Sequence, residues 1–257
     1  MKRIGKIFQF LLSLLACMTT VARSAEVTVV VASNFREPMT LVAADFTEKT
    51  GHQAKLIFGS SGKFFAQISH GAPFDLFLSA DQTKPAALVK AGLAVAQSQF
   101  TYATGALALW SAEPERVDGT GRVLSEGHYR KLAIANPVLA PYGVAAMEVL
   151  DHLQLVEPAH PGQLVQGENI AQTYQFVSSG NADIGFVALS QIMEDGRLRS
   201  GSVWVVPAEL YSPIRQDAVL LTAGKENPAA VALLNYLASE PAIKIIESFG
   251  YQVEVSD

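Results

Sequence analysis

The sequence predicts an α/β protein built as two Rossmann-like lobes joined by two crossover strands, and three observations predict it. Short β-branched or apolar runs alternate with helical patterns, the signature of mostly parallel sheets with helices on both faces. The alternation occurs twice, from Val27 to Gly92 and again from Leu132 to Val187. Two long apolar runs, Phe100 to Trp110 and Ile214 to Thr222, lie about a hundred residues apart and match each other, as paired crossovers would.

Taken in order, Met1 to about Ser24 reads as an export signal: Lys2, Arg3 and Lys6 precede the apolar run Ile7 to Ala16, and small residues follow. That run is too short to span a bilayer. Ala22-Arg23-Ser24 predicts cleavage before Ala25, so the mature chain begins near Ala25 and is placed in the periplasm. Leu14-Leu15-Ala16-Cys17 partly resembles a lipoprotein lipobox, and lipid anchoring at Cys17 is the weaker reading because Leu15 fits it poorly. Cys17 is the single cysteine, so a chain cut downstream of it has neither disulfides nor thiolate metal sites.

Val27 to Ala32 is the first strand, ended by Ser33-Asn34, and Met39, Val42 and Phe46 carry a helix to Gly51. Ala54 to Phe58 and Phe74 to Leu78 are the next strands. Asp81 caps a helix that runs through Leu88 to Gly92. The first crossover is broken at Thr104-Gly105. The second set comprises strand Leu132 to Ala135, a helix from Tyr142 to Leu153 after Pro141, a helix from Ile170 to Val177 and strand Asp183 to Val187. Pro158 to Gly167, with two prolines and two glycines, reads as a connecting loop. Asn227-Pro228 and Pro241 open two final helices, and Phe249 to Val253 closes the chain. The expected division is 1–24 signal, 25–104 plus 216–257 the first lobe, and 105–215 the second.

Composition limits the function. With 49% apolar and 17% charged residues, the 257-residue chain can bury a sizeable core. A formal net charge of −5 and no Lys/Arg run argue against a nucleic-acid or anionic-membrane partner. Any anion must therefore be held by local chemistry. The stretch Phe58-Gly59-Ser60-Ser61-Gly62-Lys63 supplies it: small residues sit where a helix starts, and first-turn N–H groups, the helix dipole and a Ser hydroxyl favour an anion. Strands or loops lead into further helix starts after Ser33-Asn34, at Pro141-Tyr142-Gly143 and at Gly167-Glu168-Asn169-Ile170. From spacing alone, ordinary capping and an anion site stand about even.

The residues Val27 to Asn34, Phe58-Gly59-Ser60-Ser61-Gly62, Gly71-Ala72-Pro73-Phe74-Asp75-Leu76-Phe77-Leu78-Ser79-Ala80-Asp81, Ala135-Asn136-Pro137 with Pro141-Tyr142-Gly143, and Ala182 to Val187 resemble, in this order, the periplasmic molybdate-binding proteins of ABC importers. The resemblance spans nearly the whole mature chain. It implies a type II periplasmic binding fold that closes on a tetrahedral oxyanion and passes it to an ABC permease, with no cofactor and no catalysis by this chain, working as a monomer. It implies Ser33, Asn34, Ser61, Tyr142 and the backbone N–H of Ile170 as ligands of molybdate or tungstate, the molybdenum being held as its oxyanion with no direct protein ligand. Some members carry a tyrosine where this chain has Ala188, so Tyr142 is expected to supply the phenol.

Two other readings stay open beside it. A sister protein for sulfate or thiosulfate shares the same donor chemistry. Ser60-Ser61-Gly62-Lys63 also fits the Ser-x-x-Lys pattern of serine acyl-enzymes with Ser60 and Lys63 as the pair, but Lys49-Thr50-Gly51 precedes it and no Ser-Asp-Asn follows. The five histidines, at 52, 70, 128, 152 and 160, show no metal-ligand spacing.

Overall fold

A computed structural model describes residues 24–155 and 162–254. The signal segment through Arg23, Cys17 within it, His160 and the first part of the Pro158–Gly167 stretch lie outside the described residues. The chain forms two five-stranded sheets. The first has the order β2 (Gln53–Gly59), β1 (Glu26–Ala32), β3 (Leu76–Leu78), β12 (Ile214–Leu220), β4 (Phe100–Gly105). The second runs β11 (Ser202–Val205), β5 (Leu107–Ser111), β8 (Ile184–Ala188), β6 (Leu132–Ala135), β7 (Leu164–Gly167).

Each sheet is covered on both faces, because successive side chains of a strand point to opposite sides. Val27, Val29 and Val31 pack with Met39, Val42 and Phe46 of α1 (Arg36–Thr50), with Leu233 of α7 (Pro228–Leu237) and with Ile246 of α8 (Glu240–Ser248). Val30 faces the other way, toward Phe64 and Ile68 of α2 (Ser61–Ser69) and Leu88 of α3 (Thr83–Lys90). In the second sheet, Leu109 and Ile134 pack on Ala146 and Val149 of α5 (Pro141–His152), while Ala108 and Ala133 pack on Val177 of α6 (Ile170–Ser178).

The sheets are mixed, which corrects the expectation of mostly parallel pairing. β1 pairs in parallel with β2 and β3, and β6 with β7 and β8, but β12 runs antiparallel to β3 and β4, and β5 antiparallel to β8 and β11. Both crossings lie at the rim where the parallel strands end. A strand that enters a sheet at that rim has to run against its neighbours, as β5 and β12 do. The chain leaves the first sheet through Ala106 and returns between Val205 and Ile214, so Ile214–Leu220 lies wholly in the first sheet and does not itself cross.

Other differences are local. Leu164–Gly167, read as loop, pairs with β6 as β7. A short helix α4 (Arg122–Glu126), a hairpin of β9 (Met193–Glu194) and β10 (Arg197–Leu198), and β11 were not expected. Phe249 to Val253 forms no strand; it contributes one bridge, Gln252 to Thr104. α3 starts at Thr83, yet Asp81 still performs the capping expected of it, its Oδ1 accepting the N–H of Lys84 at 2.9 Å.

Candidate functional site

The parallel strands of both sheets end at facing rims, where open α/β sheets place their ligands. β1 runs straight into a 3-10 turn, Ser33–Phe35, in which Ser33 and Asn34 are buried. β2 leads to Ser60 and the start of α2 at Ser61. Across the cleft, β6 leads to Pro141 and Tyr142 at the start of α5, and β7 to Asn169 and Ile170 at the start of α6. These residues, with Ala32, Gly59, Ala80 and Ala140, enclose a cavity of about 10 Å³ measured for the centre of a water-sized sphere. Every lining residue is neutral.

The cavity is rich in donors because three helices begin at its wall, and first-turn N–H groups have no intrahelical partner. Ser61 is the first residue of α2, and its Oγ accepts the N–H of Ala80 at 2.9 Å, which leaves its own proton to donate. Pro141 opens α5 without an N–H, so Tyr142 carries the first one of that helix. The Asn169 side chain caps α6 by accepting from Ala171 and Gln172 at 3.0 and 3.1 Å, and the N–H of Ile170 is left uncapped. All three helix starts direct positive dipole ends at one small volume.

Behind this wall lies a buried polar network that joins the two sheets' domains. Asn34 Nδ2 donates to Gln216 Oε1 at 2.7 Å and to Tyr251 Oη at 2.9 Å. Tyr102 Oη donates to the same Gln216 oxygen at 3.0 Å, and Gln216 Nε2 donates to Tyr142 Oη at 3.3 Å. Ser190, which follows β8, donates to Asn34 O at 2.9 Å and lies 3.0 Å from Tyr251 Oη. Burial pushes the Tyr102 and Tyr142 phenols well above the ordinary tyrosine range and raises Tyr251 as well, so all three are neutral near pH 7.

The five residues expected from the sequence therefore come together at one cavity, and their hydrogen bonds limit what each can offer there. Tyr142 was expected to present its hydroxyl; that oxygen accepts from Gln216 Nε2 at 3.3 Å and lies against Gly105, and the bond does not use the phenol's own proton. The Asn34 Nδ2 protons are spent on Gln216 and Tyr251, so the donor Asn34 has left for a ligand is its backbone N–H. Sequence reading missed Gln216, Tyr251, Ser190 and Tyr102. The signal available was Gln216 itself, a fully buried amide in β12, next to the buried Asp217 and the apolar run Ala218 to Leu220.

The cleft is shut by direct contacts across it. Gly62 N donates to Leu139 O at 2.9 Å, and Lys63 Nζ pairs with Glu168 Oε1 at 3.0 Å on the half-exposed mouth. Lys63 is thus turned away from Ser60, whose hydroxyl has no hydrogen-bond partner, and the Ser60–Lys63 couple of an acyl-enzyme is not formed. Glu37 is exposed in the first turn of α1. Among the described residues, no group of three or more His, Cys, Asp and Glu is placed to hold a cation.

Comparison with known proteins agrees with this geometry. Residues 27–252 match the family described as bacterial extracellular solute-binding protein. The chain is 53% identical over 241 residues to the molybdate-binding protein ModA of Azotobacter vinelandii, covering 94% of each sequence. It is 49% identical to ModA of Rhodobacter capsulatus, covering 95% of this chain and 94% of that one. Among solved structures, an Azotobacter vinelandii periplasmic molybdate-binding protein superposes with a TM-score of 0.86 at 40% identity, over 89% of this chain and 99% of that one. The chain belongs to the bacterial extracellular solute-binding protein family, in the branch that holds these molybdate-binding proteins.

Proposed function

We propose that the chain captures molybdate or tungstate outside the cytoplasm, between two lobes that close on the anion, and delivers it to an ABC permease without catalysing a reaction. The observation that carries the reading is the cavity wall: three helix N-termini and serine hydroxyls, and no charged side chain. The ligand set is Ser33, Asn34, Ser61, Tyr142 and Ile170, with backbone N–H groups serving at Asn34, Tyr142 and Ile170. The lobes meet at Ala106 and at the segment before Ile214, and closure bends the chain there. The protein acts as a monomer in the periplasm, a location supported by the similar Azotobacter vinelandii structure, whose protein is named as periplasmic.

Neutral donors are sufficient. A hydrogen bond to a charged group contributes about 1.5–3 kcal/mol, so about six supply roughly 9–18 kcal/mol against desolvation. A micromolar dissociation constant needs only about 8 kcal/mol net. A wall dominated by donors suits a fully deprotonated tetrahedral dianion, whereas hydrogen phosphate brings a proton that needs an acceptor.

A thermal-shift panel with molybdate, tungstate, sulfate and phosphate tests the reading. A ligand at a hundred times its dissociation constant stabilises by about 2.7 kcal/mol, which molybdate and tungstate should do nearly equally. Stabilisation by sulfate as large as that by molybdate would move the assignment to a sister oxyanion.

A further inference from the structure

Ser60 stands at the N-cap position of α2, with φ −82° and ψ 144°, the geometry from which a serine normally turns its hydroxyl onto the amide of the second or third helical residue. It makes no such bond. The amide of the second residue, Gly62, is taken by Leu139 O across the cleft, so the usual partner has been diverted to the other lobe. The Ser60 hydroxyl is left 2% exposed and without any hydrogen-bond partner. A buried hydroxyl in that state is a net cost to the folded protein unless something else pairs with it.

Position says what that partner is. Among the described residues, three buried side-chain oxygens lack a partner, those of Ser60, Thr104 and Ser239, and only Ser60 lines the cavity. Its neighbour Ser61 is already oriented by the N–H of Ala80. Ser60 Oγ is bound by no such contact and can swing its proton to an oxygen of an enclosed anion.

We propose that Ser60 is a further ligand of the bound oxyanion, donating its hydroxyl proton beside Ser61, so that adjacent serines of one helix start grip the same ion. The inference rests on the oxyanion reading given above. Ser60 loses nothing as a helix cap when it does this, because it makes no capping bond to give up.

Calorimetric titration with sodium molybdate, together with melting of the ligand-free protein, tests it on wild type, Ser60→Ala and Ser239→Ala. Ser60→Ala should bind molybdate about 10- to 100-fold more weakly, the worth of one bond to a charged, buried acceptor. Its ligand-free melting temperature should be unchanged or higher. Ser239→Ala, which removes an unpaired buried hydroxyl far from the cavity, should bind as wild type does. Wild-type affinity in Ser60→Ala overturns the inference and leaves the oxyanion reading standing, and a weakened affinity accompanied by a drop in ligand-free melting temperature assigns Ser60 to capping and overturns it too. Absence of molybdate binding by the wild type overturns both.

Discussion

Replacing Gly62 by alanine should move stability and affinity in opposite directions. Gly62 is the second residue of α2, and its N–H meets Leu139 O at 2.9 Å across the cleft. A Cβ added there would lie 3.0 Å from both Leu139 Cα and Leu139 O, which are backbone atoms with no rotamer to yield. Carbon atoms pack at about 3.5–4.0 Å, so full closure would have to stop roughly 0.5–1 Å short. Overpacking of this kind costs about 1–3 kcal/mol, or about 5- to 150-fold in the molybdate dissociation constant. With the lobes apart Leu139, which supplies the three atoms nearest the methyl, no longer meets it, and Gly→Ala within a helix stabilises by about 0.5–1 kcal/mol. In a chain of this size that raises the melting temperature by about 1–4 °C. Calorimetry and thermal melting of the same preparation read both effects, and an unchanged molybdate affinity in Gly62→Ala would refute the claim that this contact belongs to the liganded, closed form.

Three further outcomes follow from the same geometry. Tyr142→Phe strips Gln216 Nε2 of a buried partner, so molybdate affinity should fall by about 1–2 kcal/mol, and the loss should vanish when measured in a Gln216→Leu background; a loss that persists there would mean that the phenol touches the anion directly. Lys63→Met breaks an exposed ion pair, so affinity should change by less than about 1 kcal/mol and depend little on salt; a larger loss with a steep salt dependence would show that a cation holds the ligand. Burial pushes the Asp183 carboxyl up, but bonds from the Arg130 guanidinium and from the Arg130 and Lys131 amides outweigh it and hold the group below its ordinary value. A depressed folded-state value means that its stabilisation is present above the unfolded aspartate range near pH 4 and lost as pH falls through the folded value. Asp183→Asn should therefore melt below wild type at neutral pH, with the gap narrowing on acidification, and a gap independent of pH would contradict that assignment.

How much of this was legible depended on where the information lay along the chain. The alternation of apolar runs and helical patterns reported both lobes, because Val27 to Ala32 or Leu132 to Ala135 must be apolar to be buried on two faces. β7 escaped because Leu164–Gly167 offers only four residues next to a proline- and glycine-rich stretch, and it is a strand only through its pairing with β6. The antiparallel members escaped because direction is set by which rim the chain enters, which no local pattern encodes. At the site, the small residues and Pro141 marked the helix starts, and the family resemblance selected which of them face the cavity. What each residue offers there was not legible. The Tyr142 oxygen accepts from Gln216, 74 residues away, and the Nδ2 protons of Asn34 go to Gln216 and Tyr251, 182 and 217 residues away.

In the proposed site, neutral donors at converging helix starts hold a molybdenum oxyanion without help from a cation. Locating molybdenum by its anomalous scattering in crystals grown with molybdate tests this most directly. One strong peak is expected in the cavity, with the Ser61, Tyr142 and Ile170 amides around its oxygens and Lys63 still paired with Glu168. A peak outside the cavity, or one with a lysine or arginine drawn onto the anion, would contradict it.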